Sequence, residues 1–307
     1  MWNLSFEAPK IIDANPLTTM PDAFRRPQRS DWADANRGGR PVDSFIEGPA
    51  FDRDGNLYIT DIPHGRIFRI DPALRWELVA EYDGWPNGLA IHRDGGIWIT
   101  DYRKGLLRLD PGSGRIEPLL THRNSESFKG VNDLVFDVRG RCWFTDQGQT
   151  GLQDPTGRVY RWDPDSGQLD CLLSTVPSPN GIALDVEQQV LFVAVTRANA
   201  VWRGPLMRDG TVSKVAAFRT FFGSGGPDGL AIDADNRLVV AHVSLGGAFV
   251  VEPTGEILHF VRSKAGRALT NIAFQPGSRR MVMTDSETGS ILVADMPSPG
   301  PTPFSHA

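Results

Sequence analysis

Six positions in this sequence carry oxygen-donor side chains in the same local setting. Glu47, Asn87, Asn132, Asn180, Asp228 and Thr270 open the phrases EGPAFDRDGNLYITD, NGLAIHRDGGIWITD, NDLVFDVRGRCWFTD, NGIALDVEQQVLFVAVT, DGLAIDADNRLVVAH and TNIAFQPGSRRMVMTD. Glutamate is a poor turn residue, and a carboxylate on an apolar wall needs a partner or a ligand. Glu47 is therefore expected to converge with Asn180 and Asp228, and two carboxylates held close together require a cation or a shared proton. Oxygen donors suit calcium, magnesium or manganese rather than copper. Calcium accepts mixed carboxylate, amide and water ligation, and zinc accepts three protein ligands with a fourth position open. Asn87 and Thr270 read instead as turn residues bonded to local backbone.

A second recurring signal is an aspartate closing the next strand: Asp61, Asp101, Asp146 and Asp285, with His242 at that place in the fifth phrase. The repeated Thr-Asp reads as a structural hydrogen bond, and His242 as a satisfied structural residue. No GxSxG elbow, P-loop, dinucleotide fingerprint or Cys/His cluster is present, which leaves a serine nucleophile, nucleotide binding and a thiolate zinc site unsupported.

The elements that must position these residues follow from the spacing. Successive phrases start 40, 45, 48, 48 and 42 residues apart, and a period of this length with strand-like units is the signature of a β-propeller. Each unit has a short apolar strand, a turn such as RDGN or RDGG, a β-branched and aromatic strand, and further strands beyond. The expected fold is all-β: a six-bladed β-propeller with four-stranded antiparallel blades around a central channel. Residues 1–43 read as an N-terminal extension, from which FEAPKII could add a ring-closing outer strand. Residues 44–296 form the propeller, and 297–307 read as a disordered tail. The insertion at 147–157 is expected to overhang the channel mouth.

The 307 residues carry a net charge of −5 and 22% charged residues, which disfavours a nucleic-acid or anionic-membrane surface. No apolar run approaches a membrane span. The N-terminus lacks the basic and apolar regions of a secretory signal, so a cytoplasmic location is expected. Cys142 and Cys171 are then expected to be free and buried.

The stretches EGPAFDRDGNLYITDIPHGRIFRID, VNDLVFDVRGRCWFTD, VPSPNGIALD and GGPDGLAID resemble the SMP-30/gluconolactonase/luciferin-regenerating family, over roughly residues 43 to 296. The resemblance implies a six-bladed propeller with one divalent cation on Glu47, Asn180 and Asp228. Calcium comes first, with zinc, magnesium and manganese as alternatives. It further implies Asn132 as a channel amide contacting substrate or bound water, Asp228 as general base, and hydrolysis of lactones, often sugar lactones. One departure stands out. Sugar-lactone members place an arginine two residues before the channel asparagine, where this chain has Gly130 preceded by Lys129. Lysine does not offer the guanidinium fork, so the sugar preference is open, and loop 147–157 or Lys129 is expected to shape the pocket entrance. The resulting expectation is a metal-dependent lactonase acting on a small-molecule lactone, with no nucleic-acid or membrane partner. The alternatives are an aryl-esterase or phosphotriesterase on the same scaffold, and a non-catalytic binding propeller.

Overall fold

The structure, a computed structural model, describes residues 7–307; Phe6 of the FEAPKII segment lies outside the described residues. Each repeated phrase folds into an antiparallel strand pair. The first strands are Ile46–Phe51, Pro86–Ile91, Val131–Phe136, Pro179–Leu184, Pro227–Ile232 and Leu269–Phe274. They pack against one another around a closed, propeller-like ring. The tight turns behind them hold one residue at positive φ: Gly55, Gly95, Gly140, Gln188, Asn236 and Gly277. Glycine takes that conformation without a Cβ clash, and asparagine tolerates it.

Every first strand breaks register near its start. Pro179 pairs with Val195, and pairing resumes only at Ile182 with Val193. Similar breaks follow Glu47, Pro86, Val131, Pro227 and Leu269. A bulge of this kind releases backbone groups from the ladder and re-aims side chains. Asn87, Asn132, Asn180, Asp228 and Thr270 all lie inside such breaks.

The released carbonyls are taken up by the neighbouring sheet. Thr60 Oγ1 donates to the Asn87 carbonyl at 2.6 Å, Thr145 to that of Asn180 at 2.7 Å and Thr196 to that of Pro227 at 2.8 Å. Thr100 likewise donates to the Asn132 carbonyl. The ring closes where Thr270 and Ser286 donate to the Ile46 carbonyl at 3.0 and 2.6 Å. The aspartates beside these threonines hold loop backbone: Asp61 accepts from the Phe45 N–H at 2.7 Å and Asp146 from the Gly130 N–H at 2.8 Å. Apolar layers fill the space between sheets, as with Ile46, Ile59, Phe68, Val282 and Ile291 between the last and first repeats.

The sheet organisation corrects the expectation of six four-stranded antiparallel blades. Among the described residues, four sheets have four strands each, and the fifth and sixth repeats share one eight-stranded sheet. The reason is an edge left by the sixth repeat, which supplies only three strands. Lys10–Thr19 covers it, with Asn15–Thr19 antiparallel to Ser290–Val293. The first half of the same strand, Lys10–Ala14, runs parallel to His259–Ser263 of the fifth repeat. One strand thus protects two edges that would otherwise be open.

The tail is also corrected. Residues 304–306 form a short helical turn, and the Phe304 ring packs 5.1 Å from His92 and 5.2 Å from Phe136. Burial of an aromatic ring against the end of the channel away from Glu47 orders a segment whose proline-rich composition suggested none. Both cysteines are free, Cys142 buried and Cys171 half-buried. No helix among the described residues is long and apolar enough to cross a membrane.

The threonine ties predict a stability effect. Thr145→Val keeps the side-chain shape but strips the Asn180 carbonyl of its partner. It should lower unfolding free energy by about 1–3 kcal/mol in urea denaturation. A change within about 0.5 kcal/mol, the scale of neutral surface changes, would show that the tie contributes nothing.

Candidate active site

The register breaks deliver their side chains to one end of the channel, at the floor of an open cleft of about 440 Å³. Glu47, Asn180, Asp228, Asn132 and Asn87 all line it. Asn87 thus belongs to the cleft although its type and setting read as a turn residue. Thr270 acts in the ring-closing hydrogen bonds described above.

Glu47 is 3% exposed and Asp228 7%. Glu47 Oε2 accepts from the Gly48 N–H at 2.6 Å and from Asn271 Nδ2 at 2.9 Å. Even so, burial first, and the Asp133 charge second, push its pKa up to about 8. Burial raises Asp228 well above the usual carboxylate range, and the charges of Glu47 and Asp133 add to it. The Asn180 side-chain hydrogen bond and the Arg197 charge oppose that rise. Glu47 and Asp228 therefore titrate as an interacting pair.

Two residues at this floor escape a reading of the first phrase positions. The second position is glycine in four repeats: Gly48, Gly88, Gly181 and Gly229. It is Asp133 in the third repeat and Asn271 in the sixth. A Cβ on Gly88 would lie 2.4 Å from Asp133 Oδ1, and one on Gly229 would lie 2.1 Å from Asn271 Oδ1. The glycines leave the room that these two side chains fill. Asp133, raised to about 6 by burial, lies 3.5 Å from Asn271 Nδ2 through Oδ2. The alternation of glycine with two polar exceptions was the signal available in the sequence.

The walls come from elsewhere. Asn132 Nδ2 donates to Gln147 Oε1 at 2.9 Å, and Gln147 Nε2 donates to Ser178 Oγ at 3.0 Å. The start of the 147–157 insertion thus reaches the cleft. Lys129 does not line it; its Nζ donates to Thr156 Oγ1 at 2.9 Å on the exposed side of that loop. The hydrogen bond joins Lys129 to the loop expected to shape the entrance. Gly130 is explained by Tyr102: a Cβ there would lie 2.6 Å from the Tyr102 ring, and Tyr102 occupies that wall. His242 is fully buried beside Phe221 and Phe249, outside the cleft lining. Burial lowers its pKa to about 4, so it is neutral near pH 7.

The helix Asp31–Arg37 closes the mouth on one side. Ser30 Oγ caps it by accepting from the Ala33 N–H at 3.2 Å, and Gly38 ends it in the left-handed region. Trp32 anchors it with its ring 4.9 Å from Phe45. Among the described residues, no group of three or more His, Cys, Asp or Glu side chains is gathered to hold a metal. The donors that line the cleft are instead mixed, the carboxylates of Glu47 and Asp228 with the amides of Asn87, Asn132 and Asn180.

The chain belongs to the SMP-30/gluconolactonase/LRE-like family, whose model matches residues 45–287. It is similar to lactonase drp35 of Staphylococcus epidermidis, 31% identical over 270 residues that span 80% of this chain and 82% of the relative. A gluconolactonase from Xanthomonas campestris shares the fold at 21% identity and a TM-score of 0.75, covering 92% of this chain and 97% of that one. So does regucalcin, a calcium-binding protein of Agrobacterium tumefaciens, at 18% identity and a TM-score of 0.77, covering 98% and 100%.

The raised carboxylates give stability a direction with pH. The folded protein keeps protons on Glu47 and Asp133 that the unfolded chain releases near its ordinary carboxylate pKa, from 4.5 for Glu47 and 3.8 for Asp133. Their contribution is full below those ordinary values and is lost as pH rises through about 6 and about 8. Chelator-treated protein should therefore melt at a lower temperature at pH 8 than at pH 5.5, and Glu47→Gln should flatten that slope. A wild-type melting temperature that holds or rises over this range would contradict the burial of ionisable carboxylates.

Proposed function

We propose that this chain is a divalent-cation-dependent lactonase, with the cation held by Glu47, Asn180 and Asp228. The observation that carries the reading is the buried, interacting pair Glu47 and Asp228, with the Asn180 amide beside it at the floor of an open cleft. Buried like charges call for a compensating cation. The donors are all oxygen, so they fit a hard cation, and calcium best accommodates mixed carboxylate and amide ligation. The regucalcin and drp35 likenesses support the cation and the lactone respectively.

When bound, the cation supplies Lewis-acid polarisation of the ester carbonyl. Asp228 takes a proton from water as the water oxygen bonds to the acyl carbon. The bond from acyl carbon to ring oxygen then breaks, and that oxygen takes the proton back from Asp228 and leaves as the hydroxyl of a hydroxy acid, which regenerates the base. Glu47, fixed by the Gly48 N–H and Asn271, supplies charge at the floor. Asn132, fixed by Gln147, orients the ester. Asp133 adds negative charge below Glu47 and Asp228 and so strengthens the demand for a cation.

Acid release from gluconolactone and simple alkyl lactones tests this reading. Hydrolysis should stop with chelator and return on adding back one of calcium, magnesium, manganese or zinc. Asp228→Asn should lower kcat/KM by about 100-fold or more. Full turnover in that variant would remove Asp228 from the proton transfer. Absence of turnover on every lactone, with cation demonstrably bound, would overturn the lactonase reading.

A further inference from the structure

Two guanidinium groups border the cleft without an acidic partner. Arg37 ends the Asp31–Arg37 helix, and Arg197 sits in the turn Thr196–Ala198; both line the cleft. They are the only cations that line the cleft, and neither forms an ion pair among the described residues. Arg37 instead rests its guanidinium 5.1 Å from the centre of the Phe45 ring. Partial desolvation lowers its pKa although the residue remains exposed at the cleft rim, and an anion beside it would offset that cost. Arg197 lies close enough to Asp228 for its charge to act on that carboxylate.

Arg37, Arg197, Glu47 and Asp228 are the charged residues that line the cleft among the described residues. A divalent cation on Glu47 and Asp228 balances those two, and among the described residues neither arginine makes an ion pair with them or with Asp133 behind them. We propose that the cleft takes a lactone bearing a carboxylate substituent, held by Arg37 and Arg197 while its ester carbonyl faces the carboxylate floor. This rests on the lactonase reading and names the substrate class within it. Arginine matches a carboxylate through paired N–H donors. Trp85 and Tyr102, with ring centres 5.7 Å apart, give the cleft an apolar flank suited to a flat ring. Tyr102 also occupies the space above Gly130.

Hydrolysis turns every lactone into a carboxylate, so the arginines could bind product rather than substrate. Matched substrates separate the two. The probes are a γ-butyrolactone with a carboxylate on the ring carbon next to the ring oxygen, and the same lactone with that carboxylate replaced by its primary amide. Both are assayed on cation-loaded wild type, Arg37→Gln and Arg197→Gln. The ratio of kcat/KM, acid over amide, should exceed one in wild type and fall at least about tenfold in each variant. Added salt should also lower the wild-type ratio. Equal turnover of acid and amide by wild type, or an equal loss on both in the variants, overturns the inference and leaves the lactonase reading standing. Hydrolysis of neither probe overturns the inference, and the lactonase reading falls with it only if gluconolactone and simple alkyl lactones are also left intact with cation demonstrably bound.

Discussion

Burying Glu47, Asp133 and Asp228 together is the constraint on which the rest of this molecule depends. Water cannot screen these charges: Asp133 raises the pKa of Glu47, and both raise that of Asp228. Such a cluster persists only if the backbone that carries it cannot relax. The closed ring of first strands, the register breaks and the threonine-to-carbonyl ties supply that rigidity. The same ties that hold neighbouring sheets together fix the residues at the cleft floor. Fold stability and site geometry therefore share hydrogen bonds, as with Thr145 on the Asn180 carbonyl. The fifth repeat, where Ala241 stands in the threonine position, lacks that tie and relies on apolar packing around Val239, Ala248 and Ile272.

Much of the fold was legible because it repeats. A turn and a β-branched strand recurring every 40 to 48 residues, with a Thr-Asp in four of the six repeats, are local signals, and local signals survive in a single sequence. Sheet organisation was less legible. Lys10–Thr19 carries a proline at position 16 and little alternation, and its partners lie some 250 to 280 residues away. No periodicity in the strand itself shows that it will run parallel to one neighbour and antiparallel to the other. The tail misled for a similar reason. Its proline content is a local feature, whereas the packing of Phe304 on His92 and Phe136 is not.

At the site, the first position of each phrase could be read, because an apolar strand makes an acidic or amide residue conspicuous. Asp133 and Asn271 were hidden by their neighbours in sequence, since only the close approach of adjacent strands explains why glycine holds that place in other repeats. Arg37 was hidden differently. It comes from a short helix before the first repeat, and nothing in its own sequence places it over the channel. Lys129 shows the converse: adjacency to a site residue in the chain does not bring a side chain into the cleft.

The central claim is that the carboxylate floor is a cation site. The direct measurement is calorimetric titration of calcium into chelator-treated protein at pH 7, in two buffers of different ionisation enthalpy, for wild type and Glu47→Gln. The account predicts one site per chain, proton release on binding from the raised carboxylates, and loss of that site in Glu47→Gln. Absence of binding, or binding unchanged in affinity and proton release by the substitution, would contradict it.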